Sequence, residues 1–217
     1  ALAGPAAAGP LPLAAALTTL LRDAASPGGV LRVAGEFGAG SRRVSTLLAD
    51  AVIERSPDVA TGSLQDAAEV AARYFAGTAD LAASGLLDTE RARRLKMQRH
   101  AAEEACRQRI LESGTTQVVG ALAALRRAAG PVTEDTIAGI ERDARAIRAL
   151  AQAIRGAGDP AGHDRTLRGM AETIGVIATH SAEGGPDGLS PVDLARVVEI
   201  LAGPDAAEAM LRRSGPG

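Results

Sequence analysis

Aromatic side chains are almost missing from this 217-residue chain, which has no tryptophan, one tyrosine and two phenylalanines. Its apolar residues, 46% of the total, are therefore mostly alanine, leucine, valine and isoleucine. β-Sheets favour aromatic and β-branched residues, whereas alanine and leucine are strong helix formers and small side chains let helices pack closely. The composition predicts an all-α fold, an alanine-rich bundle of about six to eight helices.

The chain also has only one cysteine and one lysine, and its net charge is close to zero. The lone Cys106 cannot form an internal disulfide, so nothing indicates an oxidising compartment, and we expect it to be a small buried hydrophobe. A net charge of −2 excludes a global field that draws the chain to nucleic acid or anionic lipid. No apolar run approaches the roughly 20 residues of a membrane span. These absences predict a cytoplasmic protein that does not enter a membrane.

Glycine and proline divide the chain into segments. Residues 1–12 contain five of them and predict a flexible arm. Residues 13–55 predict a small helical segment, and residues 63–213 predict an antiparallel helical bundle. Within the bundle, a helical region from about residue 88 to about residue 127 contains Gly114 and Gly120, which weaken a helix without forcing it to end.

Two serines have the spacing of helix caps. Ser63 precedes Asp66 by three residues, and Ser190 precedes Asp193 by the same interval. In a capping pair of this kind the hydroxyl and the acidic side chain each bind the other residue's backbone N–H. Each serine is therefore predicted to begin a helix.

The clearest periodicity lies in VTEDTIAGIERDARAIRALAQAIRG, where apolar residues recur at alternating intervals of three and four. These positions are Ile137, Ile140, Ala144, Ile147, Ala151 and Ile154. Such a seam buries one side of a helix against neighbouring helices. It spans fewer than three heptads, so we expect it in the core of a bundle or at a face through which two copies associate.

The stretch VAGEFGAGSRRVSTLL (33–48) has the glycine spacing of a phosphate-binding Walker A loop. Ser41 stands where that loop needs the phosphate-binding lysine, and Arg42 stands where it needs the hydroxyl for Mg²⁺. No parallel strands follow to supply the rest of such a site. We therefore set the phosphate-loop interpretation aside.

The same stretch has the pattern of a helix-turn-helix, with Ala34 where two helices touch and Gly38 in the turn. VAGEFGAGSRRVS resembles the DNA-reading segment of lactose-repressor-type regulators. The resemblance implies that a second helix presents five residues to the major groove of DNA. These residues are Ser41, Arg42, Arg43, Ser45 and Thr46. Because glycines weaken both short helices, the alternative is a glycine-rich connector between helices.

The most charged stretch, TERARRLKMQRHAAEEACRQR (89–109), predicts a helix with a surface for an acidic protein partner or a nucleic-acid backbone. The residues that would carry this surface are Arg91, Arg94, Gln98 and Arg107. The alternative is an ordinary solvated helix face. Tyr74 and Phe75 are adjacent in a predicted helix, where they fill a gap in the core or form the wall of a ligand pocket.

No motif for chemistry stands out. His100 with Glu103 and Glu104 offers ligands on one helix, but His163 and His180 lie in unrelated contexts, and the chain has no CxxC or HExxH. No serine has the flanking glycines of a nucleophile elbow. We therefore expect no metal, no cofactor and no enzymatic activity.

Two hypotheses for the function follow. The first is a non-enzymatic helical interaction module, an adaptor, scaffold or regulatory subunit with a protein partner, with a homodimer as a further form. The alternative is a helix-turn-helix transcriptional regulator that binds nucleic acid through residues 13–55. In that case the bundle serves for dimerisation or sensing, because one short reader contacts too few phosphates.

Overall fold

A computed structural model describes residues 26, 29–30, 46, 49–85, 87–128, 132–155, 160–179 and 189–214. Within this part the backbone consists of helices joined by turns and short connections, with no strand. The prediction of an all-α multi-helix fold is confirmed. The predicted arm, residues 1–12, lies outside the described residues, as does most of the segment 13–55. None of the described helices is both long enough and apolar enough to cross a bilayer.

Seven α-helices and one π-helical segment are defined in the described residues. In chain order they are α1 Leu64–Ala83, α2 Thr89–Ser113, the π-helix Gly114–Val119, α3 Gly120–Ala128, α4 Glu134–Ile154, α5 Pro160–Thr179, α6 Pro191–Ala202 and α7 Pro204–Ser214. The predicted capping pairs are present at α1 and α6, where the Ser63 and Ser190 hydroxyls each lie 2.7 Å from the acidic partner. Gly203 separates α6 from α7 with φ +95°, a conformation that favours glycine.

The chain divides into two compact units. The first unit comprises residues 1–57 and 73–102, and the second comprises residues 58–72 and 103–217. This grouping differs from the predicted division into 13–55 and 63–213, because residues 73–102 group with the amino-terminal part. Helices α1 and α2 each contribute residues to both units.

The first unit has a small aliphatic core. Ile53, Leu81 and Leu95 are buried together, and Val30 and Leu87 pack against them. Burial of aliphatic side chains contributes about 1.5–3 kcal/mol each, so a core of this size holds the helical segments 49–53, 73–83 and 89–102 together.

In the second unit α6 packs against α4, α5 and α7. A hydrogen-bonded clamp adds to this packing, because Arg148 of α4 donates to the carbonyl oxygens of Ile200 at 3.2 Å and Leu201 at 2.7 Å. The last carbonyls of a helix lack partners within it. Arg148 therefore ties the carboxyl-terminal end of α6 to α4.

The predicted seam along α4 is confirmed as a core element. All six of its residues are buried, together with Leu150. The seam faces the interior of the second unit, so within this chain it belongs to the core and is not a free face for self-association. Fully buried leucines and isoleucines from the neighbouring helices complete this core: Leu122, Ile174, Leu194 and Leu201.

The helical region that begins near residue 88 continues through Gly114 and Gly120, as the sequence predicts, but with a π-helical turn between them. A Cβ atom on Gly114 would lie 2.2 Å from Cε and 2.5 Å from Sδ of Met170 on α5. Because glycine has no side chain, Met170 can pack directly against the backbone at Gly114. π-Helical turns of this kind are uncommon and stand where a regular helix would not fit.

Candidate interaction pocket

A pocket of ≈ 280 Å³ opens in the second unit between the amino-terminal ends of α4 and α6. We call it the α4–α6 pocket. It is lined by Val132, Glu134, Ile137, Ala138, Asp193 and Arg196. Small-molecule pockets usually measure about 300–1,000 Å³, so this volume suits a single side chain better than a cofactor.

Helix capping positions both sides of the pocket. Thr133 precedes α4 in an extended conformation, and its hydroxyl accepts a hydrogen bond from the Thr136 backbone N–H at 3.3 Å. At α6, Ser190 accepts from the Asp193 backbone N–H at 3.1 Å while the Asp193 carboxylate binds back to Ser190. Caps of this kind stabilise a helix start by about 1 kcal/mol. The caps therefore fix the backbone positions of Glu134 and Asp193, which line the pocket.

A buried carboxylate lies next to the pocket. Glu141 of α4 is only 3% exposed, and its two oxygens meet two different guanidinium groups. Arg145 Nη2 donates to Oε2 at 2.7 Å, and Arg196 Nη2 lies 2.8 Å from Oε1. A buried charge needs such compensation because it has lost its hydration. Arg196 is thereby held in the pocket wall by Glu141.

One apolar side chain is exposed in the first turn of α6, the helix that contributes Asp193 to the pocket. Val192, the residue before Asp193 in the first turn of α6, is 61% exposed. Isolated apolar residues on a surface are common, but this one adjoins a residue that lines the pocket.

The predicted partner surface on α2 is described in full, and its arginines are paired within the chain. In the first unit Arg91 lies 3.0 Å from Asp50 and also pairs with Asp88, while Arg94 lies 3.3 Å from Asp50 and 3.2 Å from Glu54. These ion pairs join α2 to the segment 49–54. They give both arginines a structural role, and their role in partner binding stays a prediction.

The other two residues of that predicted surface are partly buried or paired. Gln98 is half-buried in the first unit. Arg107, in the second unit, lies 2.9 Å from the buried Glu103 and 3.3 Å from Glu104. The sequence pattern could not reveal that Glu103 is buried, because glutamate on a charged helix usually faces solvent.

The two adjacent aromatic residues of α1 form a T-shaped pair, with ring centroids 5.3 Å apart at 80°. Phe75 is buried and Tyr74 is half-buried. The Thr78 hydroxyl also donates to the Tyr74 carbonyl oxygen at 2.8 Å. Phe75 thus fills the core, and neither ring lines the α4–α6 pocket; the hypothesis of another pocket wall at these rings stays a prediction.

Of the five predicted DNA-contacting residues, only Thr46 lies within the described part of the chain. It is helical and exposed, and residues 49–53 are helical as well. Ala49 and Ile53 are buried on one side of this segment. Ser41, Arg42, Arg43 and Ser45 lie outside the described residues.

A polar cluster lies in the interior of the second unit. His163 of α5 and Glu103 of α2 are both buried, with His163 Nε2 3.5 Å from Glu103 Oε1. The expectation that His163 lies in an unrelated context is wrong, because α5 brings it against α2 across 60 residues of chain. Among the described residues no group of three or more histidine, cysteine or acidic side chains could hold a metal ion.

Cys106 lies one turn from Glu103 on α2 and is completely buried. Burial, together with the negative charge of Glu103, raises the pKa of its thiol to about 12. The thiolate is the reactive form of cysteine, so at neutral pH this side chain is an unreactive thiol. The prediction of a small buried hydrophobe at this position is confirmed.

Comparison of the chain with family models, with curated proteins and with solved structures finds no significant match.

Proposed function

We propose that this protein is a non-enzymatic helical interaction module, an adaptor, scaffold or regulatory subunit, and that a protein partner binds its second unit at the α4–α6 pocket. The α4–α6 pocket is the observation that carries the proposal. It offers charged and apolar side chains around a space of ≈ 280 Å³, between helix starts that caps hold in place. A rigid, preformed receptor of this kind loses little conformational entropy on binding.

The neighbouring contacts support a binding role for this surface. Arg196 of the pocket lining is paired with Glu141, and Val192, next to Asp193 in the chain, adds exposed apolar area to the first turn of α6. Protein interfaces combine an apolar centre with polar groups at the rim. The α4–α6 pocket combines three charged side chains with a smaller apolar part formed by Val132, Ile137 and Ala138.

The experiment replaces Val192 with the photoreactive amino acid benzoylphenylalanine and irradiates cells that make the full chain. We expect a covalent adduct of discrete size from position 192, because this residue is exposed and directly precedes Asp193 of the pocket lining. Thr173 of α5 is an exposed control position that does not line the α4–α6 pocket. No adduct at position 192, or the same adducts from both positions, would contradict the proposal.

A second candidate function is favoured by a different observation. Thr46 is helical and exposed, and in the helical segment 49–53 Ala49 and Ile53 are buried, a combination that favours a recognition helix near a supporting core. As a helix-turn-helix regulator, the protein would retard duplex DNA at low salt, and the double variant R42A/R43A would lose this binding. Absence of retardation by the unaltered protein for every duplex tested at low salt removes this candidate.

A further inference from the structure

The charges around the α4–α6 pocket specify the chemistry of its occupant. We infer that a partner inserts a basic side chain, an arginine on a segment of a protein chain, into this pocket. The inference rests on the proposed function, because it names the group that the partner presents.

The balance of charge in the first turns of α4 and α6 is negative. Glu134, Asp135 and Asp193 lie in these turns. Their three formal negative charges outweigh the two helix starts, each equivalent to roughly half a positive charge. A cation is therefore attracted to the ends of these helices, whereas an anion is repelled.

The positive group in the lining, Arg196, does not cancel this attraction. Its Nη2 atom lies 2.8 Å from the buried Glu141, whereas its Nη1 atom lies 3.9 Å from Oδ1 of Asp193. The closer contact is with Glu141, but Glu141 also pairs with Arg145, so these three groups together carry one net positive charge. Added to the three carboxylates and the two helix starts, they leave a balance of about one negative charge, which still favours a cation.

Two carboxylates can receive that cation. Asp193 uses Oδ2 to bind Ser190 in the cap, which leaves Oδ1 with only the 3.9 Å contact to Arg196. Glu134 is exposed and makes no ion pair or hydrogen bond through its side chain with the residues that the structure describes. A guanidinium group presents several N–H donors in one plane and can bind a carboxylate through two parallel hydrogen bonds.

The apolar part of the lining is small, because Ile137 is almost completely buried, but it can contact the aliphatic stem of an arginine. Ile137 and Ala138 lie one turn into α4, and Val132 precedes the helix. Long basic side chains bury their methylene groups along apolar surface while the charged end stays among polar groups. A neutral aliphatic side chain would fill the same space, but it would bring no positive charge to the carboxylates of Glu134 and Asp193.

The test uses amide NMR spectra of the ¹⁵N-labelled full chain, titrated with the acetylated and amidated pentapeptide Ala-Ala-Arg-Ala-Ala. Matched peptides carry citrulline or glutamate in place of arginine; citrulline keeps the shape of arginine but has no charge. We expect the arginine peptide to shift amides in residues 132–138 and 190–196, and to bind less tightly as salt is added. We expect at least fivefold weaker binding of the other two peptides, about the effect of one exposed ion pair.

The variant E134Q removes one carboxylate from the pocket lining and should weaken the arginine peptide by about threefold to fivefold. D135N is the matched control, since it makes the same change of net charge at the next position of the same helix turn, outside the lining. Equal effects of the two variants, equal binding of the arginine and citrulline peptides, or no peptide-induced shifts around the pocket would each overturn the inference. If one of these results were found while position 192 still formed its cross-link, the inference about arginine would be wrong but the proposed function would stand.

Discussion

Replacing Leu150 with alanine should lower the free energy of unfolding of the second unit by about 2–5 kcal/mol. Leu150 is completely buried in α4, among the residues of the seam that packs against neighbouring helices. The substitution loses the transfer free energy of the removed methyl and methylene groups. It also leaves a cavity that closely packed helices cannot close completely.

Cys106 provides the measurement for this prediction. The chain has no tryptophan, and its helical signal comes from both units, whereas this single thiol lies in the second unit and is buried and protonated when folded. Its rate of labelling by a disulfide reagent therefore reports opening of the second unit. In the L150A variant, labelling should reach its half-maximum at a clearly lower urea concentration than in the unaltered protein.

L111A is the matched control, because it makes the same chemical change at a leucine that is 42% exposed on α2. An exposed side chain of this kind should contribute only about 0.5 kcal/mol. If L111A and L150A moved the labelling midpoint equally, the packing described for α4 would be wrong.

Removing both arginines that compensate Glu141 should have an effect of similar size. Glu141 is only 3% exposed, and its oxygens lie 2.7 and 2.8 Å from the guanidinium groups of Arg145 and Arg196. The double variant R145M/R196M removes both groups and leaves this carboxylate buried and unpaired. Breaking a buried pair in this way costs about 3–5 kcal/mol, because the remaining charge is neither hydrated nor paired. The same thiol-labelling assay measures the loss.

Two further variants isolate the buried charge as the cause. The variant R93M/R212M changes the net charge by the same amount as R145M/R196M. Its two arginines pair with Glu90 and Glu208 at the exposed surface, so we expect the free energy of unfolding to fall by about 1 kcal/mol or less. Adding E141M to R145M/R196M should recover most of the lost stability, since no unpaired carboxylate then remains buried. A triple variant as unstable as the double variant would contradict this explanation.

Local features of the fold are predictable from the sequence because they depend on nearby residues. The spacing of apolar residues in α4 predicts its buried side, and Ser190 with Asp193 predicts the start of α6. Gly203 marks the end of α6 because it adopts a positive φ that other residues avoid. Helix periodicity and capping follow from interactions within one turn or two.

The α4–α6 pocket could not be predicted in this way. Glu141 and Arg145 are four residues apart, the usual spacing of an exposed ion pair on one helix. Glu141 is buried because α6 packs against this side of α4 and brings Arg196, 55 residues later in the chain, to its other oxygen. Pairing over such distances depends on how helices pack, which one sequence does not specify.

The charged surface predicted on α2 illustrates the same limit. Arg91 and Arg94 belong to a strongly basic stretch, but Asp50 and Glu54, about 40 residues earlier, supply their counter-charges. The sequence correctly predicts a charged helix. It does not indicate that these arginines already have partners within the first unit.

The most direct test of the account is the sequence of the partner segment that becomes attached to position 192 after irradiation, determined by mass spectrometry of the cross-linked peptide. We expect one dominant segment with an arginine within a few residues of the attachment point. We also expect E134Q to reduce the yield of this adduct more than D135N does. An acidic or uncharged segment, or a yield that responds equally to both variants, would contradict the account.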